Sequence, residues 1–218
     1  MRRSRRMPFE ALSAYLVEMP VERYLDFPAL YGNDAAVELE IGCGKGAFLL
    51  SAAQANPKFN YLGVEIDRKL QLFTATRLAK RGLSNARVLH ANAALLLRDR
   101  LKAGSIQAVH VYFPDPWWKR RHLKRRLFTA DFVATITSVL RPGGFLYTAT
   151  DVEAYFHIMR DHVQANPLLQ FKPTAEPYAD STRVVPFSDG CPPLPQTNFE
   201  RKARLQGRPV FRFQAKRR

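Results

Sequence analysis

Five residues, Gly42-Cys-Gly-Lys-Gly46, constrain this chain more than any other stretch. They join a strand candidate, residues 36–41, to a helix candidate, residues 46–56. Glycines at 42, 44 and 46 remove Cβ atoms from one face of the turn, so the backbone can approach a ligand closely. The N–H groups that open the helix favour a carboxylate or phosphate there.

The same alternation continues along the chain. Further strands are expected at 61–66, 87–90, 106–112 and 145–150, with a last one at 210–213. Helices are expected at 69–82, 93–102, 126–140 and 153–166. Strand and helix in alternation imply a parallel sheet covered on both faces. Asn92 has the character of a helix N-cap, and Arg141-Pro-Gly-Gly144 is a strong stop signal. Residues 1–8 form a basic arm, followed by a short helix carrying Phe9, Leu12, Tyr15, Leu16 and Met19. Residues 172–198 are rich in Pro, Ser, Thr and Asp and read as a long loop. The chain thus divides at residues 1–33, an arm and helical segment, and 34–218, the α/β domain.

Two cofactors suit a glycine loop of this kind. A dinucleotide site wants G-x-G-x-x-G. Here the spacing is G-x-G-x-G, with Glu40 two residues before Gly42. That is the form used for S-adenosylmethionine, which presents an amino-acid end in place of a pyrophosphate. Glu40 can accept from its ammonium or from an ordered water. Glu65, ending the second strand, can accept from both ribose hydroxyls. Asn92 has two equal readings, adenine contact and simple helix cap. A glycine turn without ligand is the bland alternative, and the ordered series of strand, acid, glycines, helix, strand and acid weighs against it.

Charge points to the partner. The 218 residues carry 34 Lys and Arg against 19 Asp and Glu, a formal net charge of +15. Such an excess favours a polyanion first and an anionic membrane surface second. No apolar run is long enough to span a bilayer, and no secretory h-region follows the N-terminal arginines. The two cysteines, Cys43 and Cys191, suit a reducing compartment. The five histidines show no metal-ligand spacing, so no metal is expected.

The most informative stretch runs from Val111 to Leu127. It follows the strand at 106–112, whose carboxyl end adjoins the cofactor crevice of a doubly wound sheet. Asp115 lies between Pro114 and Pro116, which restrict the backbone around it. Trp117 and Trp118 offer faces for a base, with one of the two, Trp118 by preference, the candidate for a core position. Lys119 to Arg126 then pack six Lys or Arg and one His into eight residues. A charge run is usually a solvated face. Placed directly after an acidic turn, it suits a phosphate backbone better.

With these residues the sequence closely resembles the bacterial tRNA (guanine-N(7)-)-methyltransferase family. The resemblance rests on Glu40 to Gly46, Gly63 to Asp67, Phe113 to Trp117 with Lys119 to Leu127, Thr150-Asp151, and Thr197 to Lys202. It implies a Rossmann-like S-adenosylmethionine-dependent fold with a mostly parallel seven-stranded sheet. It implies methyl transfer to N7 of the variable-loop guanosine, position 46 of tRNA. Glu40, Glu65, Asn92 and Asp115 fall on the family's cofactor positions. Lys119, Asp151, Thr197, Asn198, Phe199 and Glu200 fall on its tRNA positions. Asn92 stands where the family commonly has Asp, and Trp118 where it has a second Pro.

The chemistry asks little of a general base. Guanine N7 carries an in-plane lone pair and no proton. Asp115 is the catalytic candidate, a carboxylate beside a base that becomes cationic. Asp151 can accept from guanine N1–H and the amino group, or cap the helix that follows. Thr197, Asn198 and Glu200 can close over the base or cofactor, or form an ordinary loop end with Phe199 in the core. A cytoplasmic monomer or homodimer acting on tRNA is expected. Two alternatives stay open: methylation of another RNA or a protein, and RNA binding without catalysis.

Overall fold

The computed structural model describes residues 7–19, 24–173 and 197–218. Residues 1–6 of the arm, Cys191 and most of the 172–198 loop lie outside the described residues.

One alternation sets the architecture. In β2 (Val37–Ile41) the side chains of Val37, Leu39 and Ile41 enter the main apolar core, so Glu38 and Glu40 project from the opposite face. β3 (Asn60–Glu65), β4 (Ala86–His90) and β5 (Ile106–Tyr112) repeat the pattern. Leu62, Val64, Leu89, Val109 and Val111 join the first face. Tyr61, Ala86, Val88 and Ala108 lie on the second.

Helices α1 (Phe27–Tyr31), α4 (Ala93–Asp99), α5 (Ala130–Val139) and α6 (Glu153–Gln164) bury their apolar sides against the first face. α2 (Ala47–Ala55) and α3 (Arg68–Ala79) cover the second. The sheet therefore has helices on both sides, as the alternation requires.

Together with β1 (Leu16–Val17), β6 (Leu140–Thr150), β7 (Leu169–Pro173) and β8 (Phe211–Arg217), the strands form one sheet. Its order is β1-β4-β3-β2-β5-β6-β8-β7. β8 runs antiparallel to β6 and β7, and the remaining pairs are parallel. Strand order reverses between β2 and β5, which opens a crevice at their carboxyl ends. This is a Rossmann-like, doubly wound α/β fold.

Several expectations are corrected. Among the described residues the sheet has eight strands, where seven were expected, because the two-residue β1 pairs with β4 through Leu16 and Val88. The segment expected as a helix over residues 9–19 is a short 3-10 helix, Glu10–Tyr15, leading into β1. Val17, Leu25, Phe27 and Tyr31 place the N-terminal residues in the shared core. β7 takes up the first residues of the expected loop, and its Pro173 is tolerated because β7 is an edge strand. Arg141-Pro-Gly-Gly144 is an irregularity inside β6, not a turn before it. A Cβ at Gly144 would lie 2.8 Å from the Gln107 carbonyl, so only glycine permits that pairing. α5 starts at Ala130 under a Thr129 cap, and a 3-10 helix, Arg120–Arg125, precedes it.

Candidate cofactor and RNA site

The glycine loop leaves β2 at the crevice. Gly42, Gly44 and Gly46 have φ of 70°, 53° and 67°, a region costly for other residues. A Cβ at Gly42 would meet nothing within 4 Å, and one at Gly44 only the Gly42 carbonyl at 3.9 Å. That side of the loop is open to a ligand. Gly46 behaves differently from the expectation that all three glycines clear one face. Its Cβ would lie 2.3 Å from Thr74 Cγ2, so Gly46 permits close packing of the loop on α3. The loop is held by Gly42 and Cys43 N–H donating to the Val64 carbonyl at 2.8 and 3.1 Å. The Thr74 hydroxyl donates to the Gly44 carbonyl at 2.8 Å.

Two carboxylates face this loop. Glu65 accepts from Gly44 N–H at 2.8 Å, Ile66 N–H at 2.9 Å and Asp67 N–H at 3.0 Å. A carboxylate offers about four acceptor positions. Glu65 thus has room for one further donor, where the sequence suggested two ribose hydroxyls. Glu40 is buried and its Oε2 has no hydrogen-bond partner. Burial pushes its carboxyl well above the usual range; the Leu49 N–H pulls it back and the Glu65 charge adds to the rise. A buried acceptor without a donor costs about 1–3 kcal/mol. An arriving ammonium would satisfy it, so these residues fit a cofactor with an amino-acid end.

Asn92 Oδ1 accepts from Ala94 N–H at 3.0 Å and Leu95 N–H at 3.4 Å. It therefore caps α4, which leaves the amide nitrogen for an adenine edge. Ile66, directly after β3, and Leu95, in the first turn of α4, are apolar yet 68% and 50% exposed, and the sequence reading singled out neither.

The acidic turn leaves β5, the neighbour of β2. Phe113 and Trp117 have φ of 52° and 43°. Non-glycine residues held in that region cost roughly 1–3 kcal/mol each and gather at functional sites. They bracket Pro114-Asp115-Pro116, with Asp115 exposed at the tip. Phe113 N–H donates to the Ala149 carbonyl at 2.7 Å, and Arg126 Nε to the Pro116 carbonyl at 2.7 Å. The Arg126 guanidinium lies 5.0 Å over Trp118 and 5.9 Å from the Tyr155 ring centre. Arg126 thus fastens the turn, where the charge run alone suggested a phosphate contact. Trp118 is 49% exposed and does not fill the core. Trp117 is partly buried and meets His122 edge-on at 5.5 Å. Lys119, Arg120 and Arg121 are exposed.

The third part is α7 (Asn198–Leu205), a helix where the sequence indicated a loop end. Thr197 Oγ1 accepts from Glu200 N–H at 3.0 Å and caps it. Asn198 is its first residue. Phe199 is 61% exposed, not core, and stacks on Phe113 at 5.9 Å with 20° between the planes. Glu200 is buried and ion-paired with Arg212 of β8. Asp151 directly follows β6 and is ion-paired with Arg208. It does not cap α6, whose N-cap is Val152.

The structure thus brings Glu40, Glu65, Asp115, Asp151 and Phe199 to one edge of the sheet. β2, β5 and β6 are adjacent and parallel, so their carboxyl-terminal turns emerge together. Among the described residues there is no cluster able to hold a metal ion, and no helix is long and apolar enough to cross a membrane.

Comparison with known proteins agrees with this geometry. A family model described as "Putative methyltransferase" matches residues 34–213. The chain is 37% identical over 222 residues to a tRNA (guanine-N(7)-)-methyltransferase of Rhodopirellula baltica, covering 95% of this chain and 79% of that protein. It is 40% identical over 195 residues to the enzyme of that name from Bordetella pertussis, covering 89% and 72%. Among solved structures, a precorrin-6y C5,15-methyltransferase from Geobacter metallireducens shares the fold. Its TM-score is 0.57 at 13% identity, with 86% of each chain covered. An open glycine cradle, a strained acidic turn beside it and a family match over most of the length lead to one assignment: the chain belongs to the tRNA (guanine-N(7)-)-methyltransferase family.

Proposed function

We propose that this protein transfers the methyl group of S-adenosylmethionine to N7 of a guanosine in tRNA, at variable-loop position 46. The observation that carries the reading is the shared edge. The cradle after β2 and the strained turn after β5 leave adjacent parallel strands, and the turn runs directly into exposed Lys119, Arg120 and Arg121. A methyl donor and an RNA backbone can therefore be held within reach of each other.

S-adenosylmethionine supplies an electrophilic methyl group on a sulfonium. The protein's part is to bind and orient. Gly42 and Gly44 would admit the cofactor close to the backbone, Glu40 would accept from its ammonium, and Glu65 from a ribose hydroxyl. Asn92, with exposed Ile66 and Leu95, would meet the adenine. Asp115, exposed on the turn after β5, would face the base, where its charge would favour the cation that results when N7 takes the methyl group. N7 has no proton to lose, so no base is required. Orientation of this kind lowers barriers by roughly 7–11 kcal/mol in favourable cases.

Asp151 selects guanine by accepting from N1–H and the amino group, once Arg208 yields its place. Phe199, stacked on Phe113, offers an aromatic face to the base. Thr197 and Glu200 hold α7 in position for that contact, and Asn198 opens the helix beside it. Lys119 binds phosphate. The protein acts in the cytoplasm, as a monomer or homodimer.

The test is nucleoside analysis of total tRNA treated with the pure protein and labelled cofactor. The expected product is N7-methylguanosine from the variable loop. Label in any other nucleoside, or none, overturns the reading.

A further inference from the structure

Behind the cofactor cradle lies a polar group that the chemistry above does not use. His110 of β5 is 1% exposed, and both ring nitrogens are engaged. Nε2 lies 2.9 Å from Glu38 Oε2, and Nδ1 lies 2.9 Å from the Tyr112 hydroxyl. The ring is sandwiched: it stacks on Tyr147 at 5.1 Å with 13° between planes, and lies 4.5 Å from Phe48. With the Glu38 carboxylate accepting from Nε2–H, Nδ1 is the acceptor for the Tyr112 O–H. Burial raises the Tyr112 phenol well above its ordinary value, so its proton stays available for that bond.

Tyr112 is also where three apolar clusters meet. It packs on the α2 cluster with Phe48, on the Ala108–Tyr147 cluster, and on the Ala149–Ala203–Val210 cluster beneath α7. Its ring meets Phe48 edge-on at 5.1 Å. It is the last residue of β5, and the next residue, Phe113, opens the strained turn that carries Asp115. Glu38 sits two residues before Glu40 on the same face of β2. The chain of contacts thus begins on the cradle strand and ends at the turn.

We propose that Glu38, His110 and Tyr112 form a positioning relay that fixes the Asp115 turn against the glycine cradle, with Tyr112 the residue that meets the turn. The proposal rests on the reading of Asp115 given above. β2 and β5 are already joined by backbone pairing, which sets strand spacing but not the angle at which the chain leaves β5. The Tyr112 hydroxyl, tied to β2 through His110, fixes that angle. A misplacement of about 1 Å can lower a rate about 10²-fold, so even a partly loosened turn is measurable in turnover.

Tyr112→Phe removes the tether and keeps the ring. In steady-state methylation of tRNA by the full chain, kcat is expected to fall about tenfold, with KM for tRNA and cofactor within about twofold. Glu38→Ala is expected to give the same loss, and Glu38→Gln, which keeps an oxygen for Nε2–H, to recover most of it. The double variant Tyr112→Phe with Glu38→Ala is expected to be no slower than either alone, because the residues act as one unit. A kcat of Tyr112→Phe within twofold of the parent overturns the proposal. So does a rise in KM without loss of kcat, or multiplicative losses in the double variant. If Tyr112→Phe does not fold, the Glu38→Ala and Glu38→Gln pair decides by the same criteria. A parent enzyme that methylates another nucleoside overturns the functional reading instead, and the relay is then judged from kcat on that product.

Discussion

Asp115 and Glu40 are both carboxylates, and burial gives them opposite duties. Asp115 stands exposed on a strained turn, and the proposed reaction sets its charge beside the methylated base. Asp115→Ala is therefore expected to lower kcat by about 10²–10³-fold, the scale of one lost electrostatic contact. Filter binding should find tRNA affinity nearly unchanged; full activity would remove Asp115 from the mechanism. Glu40 is 5% exposed and its carboxyl is pushed up, chiefly by burial. The folded state holds that proton above the pH at which the unfolded chain releases it. Its contribution to stability is therefore complete below the ordinary carboxylate range and is lost as pH rises towards the raised value. Glu40→Gln has no proton to lose. Without cofactor it should melt higher than the parent at pH 7, with the gap closing towards pH 4.5, while its cofactor affinity falls in calorimetry. A gap that stays constant with pH would show that ionisation of Glu40 is not the cause. The acidic type and position of both residues stood in the sequence. Their burial did not, because burial depends on which helix covers which face.

At the scale of elements, the three glycines of the β2–α2 loop separate into two kinds. Gly46→Ala places a methyl 2.3 Å from Thr74 Cγ2 at φ +67°, so strain and overpacking should together cost about 2–4 kcal/mol in a denaturant titration. Gly42→Ala meets nothing within 4 Å and should cost only about 1 kcal/mol, while weakening cofactor binding. Equal destabilisation by the two would contradict this division. Sequence alone marks three equivalent glycines, since spacing does not say which side of a turn faces its own protein. β2 to β5 were legible because each is a short, largely apolar run set between helical segments. α7 was not: it has eight residues and few apolar ones, and tertiary contacts hold it in place. These are the Glu200–Arg212 pair and the packing of Ala203 on Ala149 and Val210. β1 and β7 are short edge strands whose pairing partners are remote in sequence, which a local pattern cannot announce.

At the scale of the whole molecule, charge decides how the substrate is found. A net charge of +15 attracts tRNA from any direction, so affinity alone does not locate the docking surface. Salt dependence does, because each neutralised phosphate releases counterions and contributes about 0.7–0.9 to the slope of log K against log salt. Lys119 and Arg121 are exposed directly after the acidic turn. Arg126, by contrast, is committed to Pro116 and Trp118. The double variant Lys119→Ala with Arg121→Ala should therefore weaken tRNA binding and lower the slope by about 1.5. Arg98→Ala with Arg160→Ala removes the same charge from α4 and α6. Both arginines are already paired with a neighbouring aspartate, Arg98 with Asp99 and Arg160 with Asp161. Equal charge removed at the two places separates a general field from a docked backbone. If both doubles lower the slope alike, the cationic run after Asp115 is ordinary surface and the RNA is held elsewhere. If only the first does, the phosphates lie along the turn that carries Asp115, and the base arrives beside the methyl donor through the geometry of the sheet.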